Sequence, residues 1–202
     1  MMSDRPENAA TPGESPGQAA QPATTQAPQQ ASDQSQDAGP WASVLFVCLG
    51  NICRSPLAEG IFLDLLRRRG IEGIMVDSAG TGGWHAGERP DRRALAVAER
   101  RGVALPSIAR KVAVEDFDRF THIVAMDASN YEDLLSLGAP MEKVRLMRSF
   151  EPGLGTGPAR DVPDPYYGGP EGFDEVFDML QSACEGLLEH LLAERQAGAS
   201  AG

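Results

Sequence analysis

Val44-Leu45-Phe46-Val47-Cys48-Leu49-Gly50-Asn51-Ile52-Cys53-Arg54-Ser55-Pro56 decides how the rest of the chain is read. Four apolar residues rich in β-formers predict a buried strand. Ser55-Pro56 followed by Leu57-Ala58-Glu59-Gly60-Ile61-Phe62-Leu63 predicts a helix, with Ser55 as N-cap and Pro56 at the first helical position. The loop between them runs from Cys48 to Arg54. Backbone N–H groups converging at a helix N-terminus make a cradle for an anion. Gly50 and Asn51 tolerate the backbone angles that a tight ring demands. A cysteine facing N–H dipoles and an arginine is expected to be a thiolate at neutral pH. The Arg54 guanidinium, six residues on, can fork onto two oxygens of a phosphate held in the ring. Ser55 can hydrogen-bond the Cys48 sulfur. Together these features predict phosphoryl transfer through a cysteinyl-phosphate. A core cysteine beside a solvated arginine would share the C-x5-R spacing, but it would not need Gly, Asn and Ser at these places.

Working outward, residues 1–40 contain no Val, Ile, Leu, Phe or Tyr and are rich in Ala, Gln, Pro, Ser, Thr and Gly. Such a segment cannot bury enough apolar surface to offset its ordering entropy, so it is expected to be a disordered tail. Residues 41–195 are expected to form one domain, and 196–202 a flexible C-terminal tail. The net charge of −11 argues against nucleic acid as a partner. No membrane-length apolar run and no export signal is evident, and two of the three cysteines sit in the loop. The expectation is a soluble, cytoplasmic protein without membrane association.

From Ser43 onward, strand and helix signals alternate. Strands are expected at 43–47, 74–79, 122–126 and 143–146, and helices at 56–69, 91–101, 129–137 and 173–195, with a short helical turn at 115–119. This order predicts an α/β fold: a four-stranded parallel sheet with helices on both faces and a ligand at the carboxyl ends of the strands. Cys48, Ser78 and Asp127 fall at or just after strand ends. An acid is still needed to protonate a leaving oxygen, and Asp164 is stiffened by prolines on both sides. Tyr166 and Tyr167 beside it can wall a pocket for an aromatic ring. His85, His122 and His190 read as scattered structural or surface residues, so no metal site is expected.

The cysteine loop near the start and Asp164-Pro165-Tyr166-Tyr167-Gly168 near the end resemble the low-molecular-weight protein tyrosine phosphatases. The likeness extends through Asp77-Ser78-Ala79-Gly80, Trp84, Ala109-Arg110-Lys111 and Met126-Asp127-Ala128-Ser129-Asn130, and it implies the phosphotyrosine phosphatase I-like fold. By that resemblance Cys48 is the nucleophile, Arg54 the phosphate clamp and Asp164 the general acid and base. Leu49, Gly50, Asn51, Ile52, Cys53 and Ser55 complete the phosphate loop. Asn51, Ser55 and Ser78 hold its shape, and Asp127 orients the arginine. Trp84, Tyr166 and Tyr167 form the aromatic rim. No cofactor is implied. The implied partners are phosphotyrosine proteins, with a cognate tyrosine kinase by likeness to bacterial relatives.

The chain departs from the family where many relatives carry a loop-supporting histidine; it reads Ser107-Ile108-Ala109-Arg110, which bears on the outer hydrogen-bond network. Arsenate reductases share the fold but relay electrons through two further mid-chain cysteines. Here the others are Cys53 and Cys184, the latter expected in the core. Phosphoarginine phosphatases resemble one another in having Thr where this chain has Ile52, so Ile52 favours phosphotyrosine. A phosphotyrosine-binding pseudoenzyme would lack the nucleophile or the acid, and both are present. Cys53 is expected to form a reversible disulfide with Cys48 under oxidation, and Tyr166 and Tyr167 are candidate phosphorylation sites.

Overall fold

The computed structural model describes residues 39–154 and 161–200; the expected tail, 1–40, lies almost wholly outside them. The first strand, β1 (Ala42–Cys48), is buried along its whole length. Its residues alternate between two cores, as the two-residue period of a strand requires. Val44 and Phe46 enter a large core with the helices α1 (Arg54–Arg69) and α5 (Pro170–Ser200), while Leu45 and Val47 enter a smaller one on the opposite face. That second core contains Phe117, Phe120 and Leu134, from the region of the short helix α3 (Asp116–Arg119) and from α4 (Ala128–Ser136). A strand buried on both faces reads as an unbroken apolar run, which is how 44–47 reads.

Strands β2 (Ile74–Gly80), β3 (His122–Ala125) and β4 (Val144–Leu146) join β1 in the order β2-β1-β3-β4, all pairs parallel. Helix α2 (Arg92–Arg100) lies in the connection that crosses from β2 to β3. The chain winds outward from β1 to β2 and then crosses to β3 on the other side. The switch point is therefore the carboxyl end of β1 beside β3, where such sheets bind ligands. Cys48 is the last residue of β1.

The start of α1 differs from its sequence signal. The helix begins at Arg54, its cap position is Cys53, and no side chain caps it. Ser55 is drawn away because its hydroxyl faces the Cys48 sulfur at 3.0 Å. Pro56 is consequently the third helical residue, still within the first turn where a missing N–H costs nothing. Helices α2 and α4 do have side-chain caps: Asp91 accepts from Arg93 N at 2.8 Å and Asp127 from Asn130 N at 2.7 Å. At the C-terminus α5 continues to Ser200. Residues 196–200, Gln-Ala-Gly-Ala-Ser, expected to be a flexible tail, extend the helix as an exposed end.

Candidate active site

The loop after β1 closes on its own sulfur. Asn51 N–H points at Cys48 Sγ at 3.3 Å, alongside the Ser55 hydroxyl. Asn51 is the non-glycine residue of the described chain with positive φ, 56°. Its side chain holds it there: Nδ2 donates to Ser55 Oγ and Ser78 Oγ, both at 2.9 Å, and Oδ1 accepts from Arg110 N at 2.8 Å. Gly50, expected to supply an unusual backbone angle, has no positive φ. What it supplies is space, because a Cβ there would lie 3.2 Å from the His85 ring. Gly80 at the end of β2 does the same for the loop backbone, since a Cβ would meet Leu49 O at 2.7 Å.

Proton inventories give this network a direction. Ser78 receives from Asn51, so its single proton goes to Glu59 Oε2 at 2.6 Å. Ser55 also receives from Asn51 and has two acceptors in reach, Cys48 Sγ at 3.0 Å and Ala79 O at 3.3 Å. A thiolate only accepts, so with Cys48 ionised the Ser55 proton goes to sulfur. Glu59 is buried on α1, and burial raises its pKa against the opposing hydrogen bond from Ser78. Ser107 Oγ is buried beside the Glu59 carboxyl, whose pKa its hydroxyl helps to lower, without well-formed hydrogen-bond geometry. The outer end of the network is therefore the Glu59 carboxyl.

Arg54 is 3% exposed. Its Nη1 donates to Asp127 Oδ2 at 2.5 Å and Val162 O at 3.1 Å, and its Nη2 to Asp164 Oδ2 at 3.0 Å. Burial opposes the guanidinium charge, but the Cys48 sulfur, the Asp127 bond and the Asp164 charge outweigh it and raise the pKa. Asp127 uses its other oxygen to cap α4, so one carboxylate fixes both the helix and the arginine. Asp164 Oδ1 accepts from Tyr166 N at 3.1 Å, which turns the acid loop back over the cleft. The neighbouring Cys53 thiol is pushed up by burial, reinforced by Asp91, and is held protonated.

A cleft of about 360 Å³ opens above these groups, with Cys48, Arg54 and Asp164 among its lining residues and Ile52 and Cys53 on its wall. Its rim consists of Leu49, Trp84, His85, Tyr166 and Tyr167. The two tyrosine rings meet edge to face at 5.1 Å. Asn51, Ser55, Ser78 and Asp127 lie behind the wall and hold it. Sequence reasoning missed three contributors. His85 was read as peripheral, yet it borders the cleft 6.5 Å from the Tyr166 ring. Asp91 and Arg93 clip the two loops together: Asp91 N donates to Ile52 O at 2.8 Å, and Arg93, paired with Asp91, donates to Tyr166 O at 3.0 Å. The available signal was the position of Asp91, an N-cap aspartate at the end of the connection from β2 to α2.

This arrangement presents a sulfur nucleophile, a two-pronged cation and a carboxyl acid around one anion-sized space, which suits attack on a phosphate monoester. Residues 43–197 match the family model for low molecular weight phosphotyrosine protein phosphatase. A low molecular weight protein-tyrosine-phosphatase of Bacillus subtilis is 44% identical over 156 residues, covering 76% of this chain and 98% of that protein. One from Streptomyces coelicolor is 47% identical over 150 residues, covering 72% and 90%. The crystal structure of a protein tyrosine phosphatase from Entamoeba histolytica, with Hepes in its active site, superposes with a TM-score of 0.70 at 41% identity, covering 76% of this chain and 99% of that one. The chain belongs to the low molecular weight phosphotyrosine protein phosphatase family.

Proposed function

We propose that this protein hydrolyses phosphotyrosine, and small aryl phosphates, through a cysteinyl-phosphate. Cys48 as thiolate attacks phosphorus, and the phosphorus–oxygen bond to the phenol breaks as Asp164 gives that oxygen its proton. Arg54 and the loop N–H groups hold the three equatorial oxygens as charge builds on them. Asp164, now a carboxylate, takes a proton from water, which attacks phosphorus and releases phosphate and the thiolate. The observation that carries this reading is the placement of Asp164 Oδ2 3.0 Å from the arginine, at the mouth of a cleft floored by Cys48. In this reading Ser55 and Asn51 stabilise the sulfur, Asp127 orients Arg54, and Trp84, Tyr166 and Tyr167 grip the phenyl ring.

The reading predicts release of phenol from an aryl phosphate by wild type with thiol and a chelator present, and no turnover by Cys48→Ser. Equal inactivity of the two proteins, with vanadate still bound, would overturn it in favour of a phosphotyrosine-binding module. A phosphoarginine phosphatase is the second reading, and the buried hydrocarbon of Ile52 favours the aryl ester. A tyrosine-phosphate peptide should therefore be hydrolysed faster than an arginine-phosphate one. An arsenate reductase relay is disfavoured by Cys184, a fully buried thiol raised by burial and directed at Ala58 O.

Further parts of the proposal concern the setting. No helix among the described residues is long and apolar enough to cross a membrane, in keeping with a cytoplasmic enzyme acting on phosphotyrosine proteins and opposing a tyrosine kinase. Residues 41–195 are proposed as the phosphatase domain. Tyr167, at 93% exposure, is the more accessible of the two candidate phosphorylation sites. Under peroxide, Cys48 thiolate forms a sulfenic acid and Cys53 displaces its oxygen as water to close a disulfide. Thiol-reversible inactivation should weaken in Cys53→Ala, and unchanged reversibility would refute the disulfide.

A further inference from the structure

Among the described residues a second cluster of chemistry-bearing side chains stands at the amino-terminal end of the strands. His122 opens β3 and pairs in register with Val44, near the start of β1, whereas the phosphate loop follows the end of β1. His190 and Glu194 stand one turn apart on α5 and face it. His122 Nε2 lies 2.9 Å from Glu194 Oε2, and His190 Nε2 lies 3.2 Å from Glu194 Oε1. The two imidazoles, expected to be unrelated, have ring centres 6.3 Å apart. One ligand atom from each of the three residues falls within 4.8 Å of the others.

We propose that His122, His190 and Glu194 bind a divalent transition-metal cation, zinc being the best match, which clasps the C-terminal half of α5 to the amino edge of the sheet. Two imidazoles and a carboxylate with an open fourth position suit zinc and its neighbours, whereas magnesium and calcium take oxygen ligands. Tetrahedral zinc with bonds of about 2.0–2.1 Å spaces its ligand atoms about 3.3 Å apart. The observed 2.9 and 3.2 Å contacts use different oxygens of Glu194, and one ligand atom per residue lies within 4.8 Å of the others, so side-chain rotations close the triangle around the ion.

The surroundings prepare both rings. Phe150 packs on His190 with ring centres 5.3 Å apart. The Thr121 hydroxyl lies 2.9 Å from both Ser43 O and His122 Nδ1, and it accepts from Ser43 N. It has one proton to give. Given to Ser43 O, it leaves Thr121 Oγ1 to accept from Nδ1–H and the Nε2 lone pair bare toward the carboxylate. A metal ion selects this tautomer, with Thr121 as its outer support. Arg145 is the nearby positive charge, and its Nη1 is engaged by the carbonyls of Met141 and Val144.

The test uses the full chain carrying Cys48→Ser, which removes the catalytic thiolate as a competing zinc ligand. After chelator treatment, zinc is titrated calorimetrically and the thermal midpoint is read with and without zinc. The proposal expects one saturable equivalent and a raised midpoint. Adding His190→Ala, an exposed position that does not threaten folding, should weaken binding at least tenfold and abolish the midpoint shift; His122→Asn should do the same. Cobalt substituted for zinc should give visible bands that vanish with His190→Ala. Equal zinc affinity with and without His190, or no saturable binding, would overturn the proposal. With Cys48 intact, His190→Ala should leave aryl phosphate turnover unchanged, so failure of the clasp and failure of the phosphatase reading are told apart.

Discussion

The two loops that meet in the cleft are built in opposite ways. In residues 48–55 the polar side chains are buried and joined to one another: Asn51 makes three hydrogen bonds, Ser55 touches the sulfur, and Arg54 is forked between two carboxylates. Residues 161–169 carry the acid and the tyrosines on an exposed path, held by Asp164 to Arg54 and by Arg93 to Tyr166 O. Buried polar groups are costly to leave unpaired, so the first loop is specified by its partners and tolerates little change. The second is fixed at its acid and free at its rim. The cysteine and the phosphate-binding arginine thereby sit in the fixed loop, while Asp164 shares the other loop with the tyrosines of the aromatic rim.

The contrast breaks first at the arginine. Arg54→Lys keeps the charge but loses the fork, and kcat on an aryl phosphate should fall by roughly 10³-fold. A steady-state loss below tenfold would show that charge alone suffices. Asp164→Asn comes next. With a poorly activated phenol as leaving group, kcat should drop about 10²-fold or more. With a strongly acidic phenol, which leaves without a proton, the loss in kcat/KM, which reports only the steps through phenol release, should be small. Equal losses on both would reassign Asp164 from acid to structural anchor.

Stability should divide the loops as cleanly as rate. Asn51→Ala strands Ser78, Ser55 and Arg110 N and puts alanine at a φ it disfavours. It should cost roughly 2–4 kcal/mol in urea unfolding. Tyr167→Ala, at an exposed position, should stay within about 0.5 kcal/mol while raising KM for phosphotyrosine peptides several-fold. If Tyr167→Ala destabilised the protein as much as Asn51→Ala, the division between a fixed loop and a free rim would fail.

Much of this was legible in the sequence because its signals were local. The run 44–47 and the C-x5-R spacing pointed to the sheet and the cysteine loop, and the prolines around Asp164 to a carboxylate that the fold places beside Arg54. Where a side chain served two masters the local signal misled. Ser55 looked like an N-cap, but the sulfur claims its hydroxyl. Gly50 looked like a φ requirement, but the constraint is His85 above it. Glu59, Arg93 and the pair His122 and His190 left no local trace. Their partners are brought to them by α1 docking on β2, by the loop crossing and by α5 returning to β3, which are tertiary events that no short window contains.

Glu59 sharpens the comparison at its quietest point, the outer end of the buried network. Burial raises its pKa above the ordinary 4.5, with the hydrogen bond from Ser78 opposing. A carboxyl whose folded pKa lies above its unfolded value stabilises the fold fully below the unfolded value, and that contribution is lost as pH rises through the folded value. Above its folded value the ionised Glu59 is therefore a cost that the wild type carries. Glu59→Gln keeps an acceptor for Ser78 Oγ and removes the ionisation. Urea unfolding should show the variant gaining on wild type as pH rises from about 4.5 and levelling off once the folded carboxyl is ionised, with kcat hardly moved. A constant offset across that window would mean that Glu59 titrates alike in both states. A variant that lost ground as pH rose would mean that the phosphate loop rests on a charge, whereas a growing offset means that it rests on a hydrogen-bond acceptor whose charge is a cost.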